Sequence, residues 1–157
     1  MKHFLLIIAV TLATGISSFA QGSSQIEKTV NEIVNKYDGK DQIECIAVTK
    51  GNGLELVKMA LNNEFGKSFM KGVTSITIIN YSDASEDTCT ALRKELDVFL
   101  SLLEEFDLSK EKSFSDNDFV RCFAAVSDSG KLSDFVVAVE QDDSKMVMYM
   151  AGEIKVE

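Results

Sequence analysis

The sequence predicts an α+β fold: a single mixed five-stranded sheet in the element order α-β-α-β-α-β-β-β, ending in an antiparallel meander, with helices packed on one face. Three observations carry this. Helix-period and strand-period apolar patterns alternate through the first part of the chain. A long amphipathic stripe runs unbroken from Cys89 to Phe106. Three apolar, β-rich runs then close the chain, separated only by short turns. No proline, repeat or linker interrupts residues 21–157, so they read as one domain of ordinary size.

Each element has a local cause. Residues 24–37 place Ile26, Val30, Ile33, Val34 and Tyr37 at helical spacing, with Ser24 and Glu27 as a capping box. Asp38, Gly39, Lys40 and Asp41 end that helix. Residues 43–49 are the first strand, and Gly51, Asn52 and Gly53 turn the chain. Leu54, Val57 and Leu61 define a second helix over residues 54–61. Residues 65–70 fit neither period. Residues 73–81 are the second strand. The third helix takes Asp83 as its cap and Glu86 as the capping-box partner, and it presents Cys89, Leu92, Leu96, Phe99, Leu100, Leu103 and Phe106 to the sheet. Residues 119–126, 132–140 and 146–156 are the last three strands, joined by turns at 128–131 and 142–145.

The first twenty residues have the layout of a Sec signal peptide. Lys2 and His3 form the basic start, residues 4–12 the apolar run, and Ser18 and Ala20 the small residues before a cut at Gln21. No cysteine stands at the cut to take a lipid, and no later segment has the roughly 20 apolar residues a membrane span needs. The mature chain, residues 21–157, is expected free in the periplasm or secreted. The formal net charge is −9, which argues against nucleic acid as a partner, because phosphates need clustered Lys and Arg.

The only histidine is His3, which leaves with the leader. Without histidine there is no Ser-His-Asp triad and no histidine-ligated metal. No cofactor is expected. Three cysteines, Cys45, Cys89 and Cys122, permit one disulfide in an oxidising compartment; buried free thiols are the expected state. The glycines at 51 and 53 follow a strand, but Leu56 stands where a dinucleotide loop needs its third glycine, so they read as a turn. The acidic groups at 116–118, 128 and 142–143 lack the spacing of a calcium loop and read as solvated turns.

The last three strands are apolar on both faces. Met146, Met148 and Met150 alternate with Val147, Tyr149 and Ala151, and Phe135, Val137 and Val139 with Val136 and Ala138. A half-solvated sheet alternates apolar with polar instead. Something must cover the second face: the first helix, another subunit or a ligand. Phe123, Val136, Ala138, Val147, Tyr149 and Ala151 form the candidate interaction surface on that face.

The order of elements resembles a domain-of-unknown-function family of small exported, periplasmic proteins of Bacteroidetes-type bacteria. The residues that carry the resemblance are the helix ending in Tyr37, Asp38, Gly39, Lys40 and Asp41, and the strand ending in Val48, Thr49 and Lys50. The hairpin at Gly130, Lys131 and Leu132 and the closing Ala151, Gly152, Glu153 and Ile154 complete it. The resemblance implies no catalytic residues and no substrate. The expected function is therefore an exported, non-enzymatic binding or interaction domain that uses the apolar sheet face. Its partner would be another protein, an apolar ligand or a second copy in a homo-oligomer. The alternative is an enzyme that uses carboxylates or lysine without histidine or metal.

Overall fold

The computed structural model describes residues 25–106, 119–127 and 130–155. The expected leader, residues 1–20, lies outside them, as do Asp116, Asn117, Asp118 and Asp128. The elements are α1 (Gln25–Tyr37), β1 (Glu44–Val48), α2 (Gly51–Phe65), α3 (Lys67–Gly72), β2 (Val73–Asn80) and α4 (Glu86–Leu100). Then follow β3 (Glu104–Phe106), β4 (Val120–Val126), β5 (Leu132–Gln141) and β6 (Ser144–Ile154). The sheet has six strands in the order β1-β2-β6-β5-β4-β3, and every neighbouring pair is antiparallel. The expected meander is present as β4, β5 and β6.

Three expectations are corrected. The sheet gains a strand because the helical stripe was read too far. α4 ends at Leu100, a turn follows through Leu103, and Glu104–Phe106 pairs with β4. The acids Glu104 and Glu105 would crowd the negative end of a longer helix. As a strand, Glu105 instead faces Arg121, whose Nε lies 3.0 Å from its carboxylate. Leu103 keeps its place in the core across the turn, which is why the apolar spacing looked continuous. The cap of α4 is Ser85, not Asp83: its hydroxyl accepts from the Thr88 amide. Finally, helices cover both faces of the sheet, and the stretch 65–70, ambiguous by pattern, runs from the end of α2 into α3.

The sheet therefore separates two cores. On one face Val30, Ile33 and Val34 of α1 and Leu92, Leu96 and Phe99 of α4 pack on Ile79, Phe123, Val136, Val147 and Tyr149. On the other, Leu54, Val57 and Leu61 of α2 and Met70 of α3 pack on Ile76, Ile78, Phe135, Val137, Met148 and Met150. Phe69 stacks on Phe65 and meets Phe135 edge-on. Two backbones touch where α3 ends against β6. A Cβ on Gly72 would run into the Glu153 carbonyl, and one on Gly152, at φ 150°, into the Gly72 carbonyl.

Candidate functional site

The six residues expected to form an interaction surface are brought together as the alternation implied. In register, Phe123 lies beside Val136, Val136 beside Tyr149, and Ala138 beside Val147. They do not form a surface. Phe123, Val136, Val147 and Tyr149 are buried beneath α1 and α4, and Ala138 and Ala151 pack partly buried against the same core. The doubly apolar strands are explained by helices of the same chain. Amphipathicity told that α1 and α4 each cover something, but not that both lie on this face.

That core holds one buried acid. Asp134 shares the inward face of Val136 and Ala138 by alternation, next to a register shift between Leu132 and Asp134, and is 4% exposed. Tyr149 donates its hydroxyl to Oδ1 at 2.7 Å, and Ser133 donates to Oδ2 at 2.7 Å. Glu27, in the first turn of α1, approaches this carboxylate; burial and then the Asp134 charge hold its pKa above the ordinary value. The arrangement pins Tyr149 under α1. Asp134 is closed to solvent, so it cannot meet a substrate in this conformation.

The cysteines are separate thiols: Cys45 half-buried on β1, Cys89 buried on α4 and Cys122 buried on β4. Burial pushes the Cys122 thiol up to about 12, and burial with the Asp38 charge does the same for Cys45. Cys89 donates to the carbonyls of Ala84 at 3.6 Å and Tyr81 at 3.7 Å. Gly51, at φ 79°, opens α2 without a side-chain cap, so Gly51, Asn52 and Gly53, expected as a separate turn, are the first turn of that helix.

An open groove of about 450 Å³ lies where α4 meets the β5–β6 turn, lined by Glu86, Arg93, Phe119, Glu140, Gln141, Asp142, Asp143 and Lys145. Its cations are engaged. Arg93 pairs with Glu86 at 2.8 Å and with Glu140, and Lys145 lies 3.8 Å from Glu86. Hydrogen bonding from Arg93 holds the Glu86 carboxyl below its ordinary value. The groove clamps α4 onto the hairpin. Among the described residues, no three His, Cys, Asp or Glu side chains cluster so that they could hold a metal ion.

What remains open lies elsewhere. β1 and β3 are the two edges of the sheet. β3 is short and charged, and Arg121 of β4 crosses it to Glu105, which is how edges are ordinarily protected. β1 carries Ile46, Ala47 and Val48 with no charge between Glu44 and Lys50. Directly after it comes α2, whose outward residues are Asn52, Glu55, Leu56, Met59 and Asn63. Leu56 is 64% and Met59 67% exposed. These positions were missed because the buried stripe alone identified the helix. The available signal was that α2 is apolar on two sides, whereas the polar side of α1 is strongly charged.

The molecule is thus an α+β domain with one antiparallel sheet, covered by helices on both faces. It belongs to DUF4252, a domain of unknown function, whose family model matches residues 37–157. The match takes in every strand and α2 to α4; of α1 it includes only Tyr37. Neither curated proteins nor solved structures give a match.

Proposed function

We propose that the chain is an exported, non-enzymatic interaction domain, working in the periplasm or outside the cell, that meets a protein partner through β1 and the outer side of α2. The observation that carries this reading is the pair Leu56 and Met59, exposed on a helix whose opposite side already fills the core. Paired exposed apolar residues on the helix that directly follows an edge strand, one whose outward Cys45 amide alone is capped by Asp38, mark an interface more often than a lone exposed leucine does. The apolar sheet face no longer serves, because α1 and α4 occupy it. Export rests on the leader pattern of residues 1–20.

A photo-crosslinking side chain placed at Met59 or at Ala47 should trap an adduct in the producing cell. The same group at Lys94, on the exposed side of α4, should not. Adducts at none of the three positions would remove the reading. The mass of the chain recovered from outside the cytoplasm tests export: it should begin at Gln21, and a full-length chain confined to the cytoplasm would overturn that part.

A further inference from the structure

We propose that the partner at the β1 edge is a second copy of this chain, joined by antiparallel β1–β1 pairing about a two-fold axis at Ala47. The proposal rests on the reading of β1 as a docking edge and names its occupant.

The direction of the backbone is fixed by one hydrogen bond. The Cys45 amide donates at 3.0 Å to Asp38 Oδ1, away from β2, so Cys45 and Ala47 turn their peptide groups to the open side. Glu44, Ile46 and Val48 bond toward β2. Lys50 continues the extended chain, with φ −171° and ψ 170°, before α2 begins. By alternation Glu44, Ile46, Val48 and Lys50 then share one face of the strand.

Antiparallel pairing centred on Ala47 sets Ala47 opposite Ala47 of the second copy. It sets Ile46 opposite Val48, and Glu44 opposite Lys50, each twice by symmetry. Ile46 and Val48 are the partly buried flank of the α2/α3 core. In this register that core continues from one copy into the next, and an ion pair closes each end. Shifting the centre to Ile46 sets Glu44 opposite Val48 and loses both ion pairs. Charge selects the register, and it also selects the edge. The chain carries a net charge of −9, so two copies repel over most of their surface. With Asp38 as a further acid engaged by the Cys45 amide, the acid Glu44 and the base Lys50 on the β1 edge are placed to complement a copy of the strand. β3 offers Glu104 and Glu105 with Arg121, which does not. The Asp38 cap holds the Cys45 amide, so the pairing keeps the Ala47 hydrogen bonds and lacks the Cys45 donors, which opposes longer, fibre-forming growth.

Sedimentation of the purified chain over a concentration series tests the proposal. A monomer–dimer equilibrium is expected. Lys50→Glu places like charges at both ends and should weaken the dimer by about tenfold or more. The exchange Glu44→Lys with Lys50→Glu should restore it, since the pairs are only reversed. Ala47→Pro removes a donor that faces outward and should abolish the dimer while thermal unfolding stays cooperative. Dimers indifferent to the Lys50 and Ala47 substitutions, or a chain that stays monomeric, would overturn self-pairing. The crosslinker at Ala47 separates the two failures. An adduct with a different chain leaves β1 a docking edge with another partner, no adduct at Ala47 removes self-pairing alone, and no adduct at Ala47 or Met59 removes both inferences.

Discussion

The two faces of the sheet are covered in different ways. On one, α1 and α4 lie over Phe123, Val136 and Tyr149, and, apart from Val98 of α4 at 64% exposure, their outer sides are polar and tied by charge. Lys36 pairs with Glu95, to which Tyr37 also donates at 2.8 Å, and Arg93 joins Glu86 to Glu140. On the other, α2 and α3 cover methionines and phenylalanines, and α2 keeps apolar residues on its outer side. The first face is finished within the chain. The second has surface to spare. A helix with one apolar stripe is a cover; the paired outer residues Leu56 and Met59 of α2 are what the proposed contact rests on.

The comparison is broken most severely by cavities. Phe99 is fully buried and meets Tyr149 edge-on, with ring centroids 6.1 Å apart. Phe99→Ala should cost about 3–5 kcal/mol, from lost transfer energy and an unfilled cavity. Met148→Ala, on the other face, should fall near the lower end of about 2–5 kcal/mol, because neighbouring methionines have rotamers free to fill the gap. Denaturant melts of both variants rank the two cores. A larger loss for Met148→Ala would mean that the α2/α3 side is the more tightly packed.

A smaller effect singles out the α1/α4 face. Tyr149→Phe takes a hydroxyl away from Oδ1 of a buried carboxylate and leaves Ser133 donating to Oδ2. The expected loss is about 1–3 kcal/mol, the cost of leaving a buried polar group short of a partner. A Tyr149→Phe variant as stable as the parent would show that Asp134 finds another donor.

Much of this fold is legible in the sequence, and the exceptions have physical causes. The strands β4, β5 and β6 were found because short turns punctuate them, and their double apolar alternation correctly required cover on both sides. β3 has three residues, too few for a pattern of its own, and it inherited the helical spacing of Leu100 and Leu103. Asp134 falls on the face of Val136 and Ala138 by alternation, but the hydroxyls that let a carboxylate stay buried there, Tyr149 and Ser133, are brought to it by the fold. The outer residues Leu56 and Met59 are plain in the sequence, but which side of α2 meets the sheet is a tertiary fact. Burial of the six predicted surface residues is of the same kind, since alternation places residues on a face without saying what lies over it.

The approach of Glu27 to Asp134 adds a pH dependence to the finished face. The folded pKa of Glu27 lies above its ordinary 4.5, through burial first and the Asp134 charge second. The folded state therefore binds this proton more tightly than the unfolded state does. Its contribution favours folding at low pH and is lost as pH rises from about 4.5 through the raised value. Glu27→Gln cannot lose a proton, so it should be indistinguishable from the parent near pH 4 and more stable at pH 7. Urea midpoints at the two pH values measure this. Equal midpoints at both would mean that α1 holds Glu27 away from the buried acid.

The smallest expected effect is the most informative about the second face. Leu56 and Met59 point away from the core that Leu54, Val57 and Leu61 of the same helix enter. Truncating a side chain that water already surrounds removes little transfer energy and opens no cavity. Leu56→Ala and Met59→Ala should each change stability by within about 0.5 kcal/mol, whereas Leu54→Ala should cost about 2–5 kcal/mol. Alanine also has the higher helix propensity, which offsets part of any loss. Melts of the three variants at low concentration, where association does not contribute, read the monomer alone. Losses at Leu56 and Met59 comparable to that at Leu54 would place them inside the domain, and α2 would then be a simple cover like α1. Small losses, combined with fewer crosslinks formed from position 59 when Leu56 is truncated, would show that these side chains serve contact and not folding.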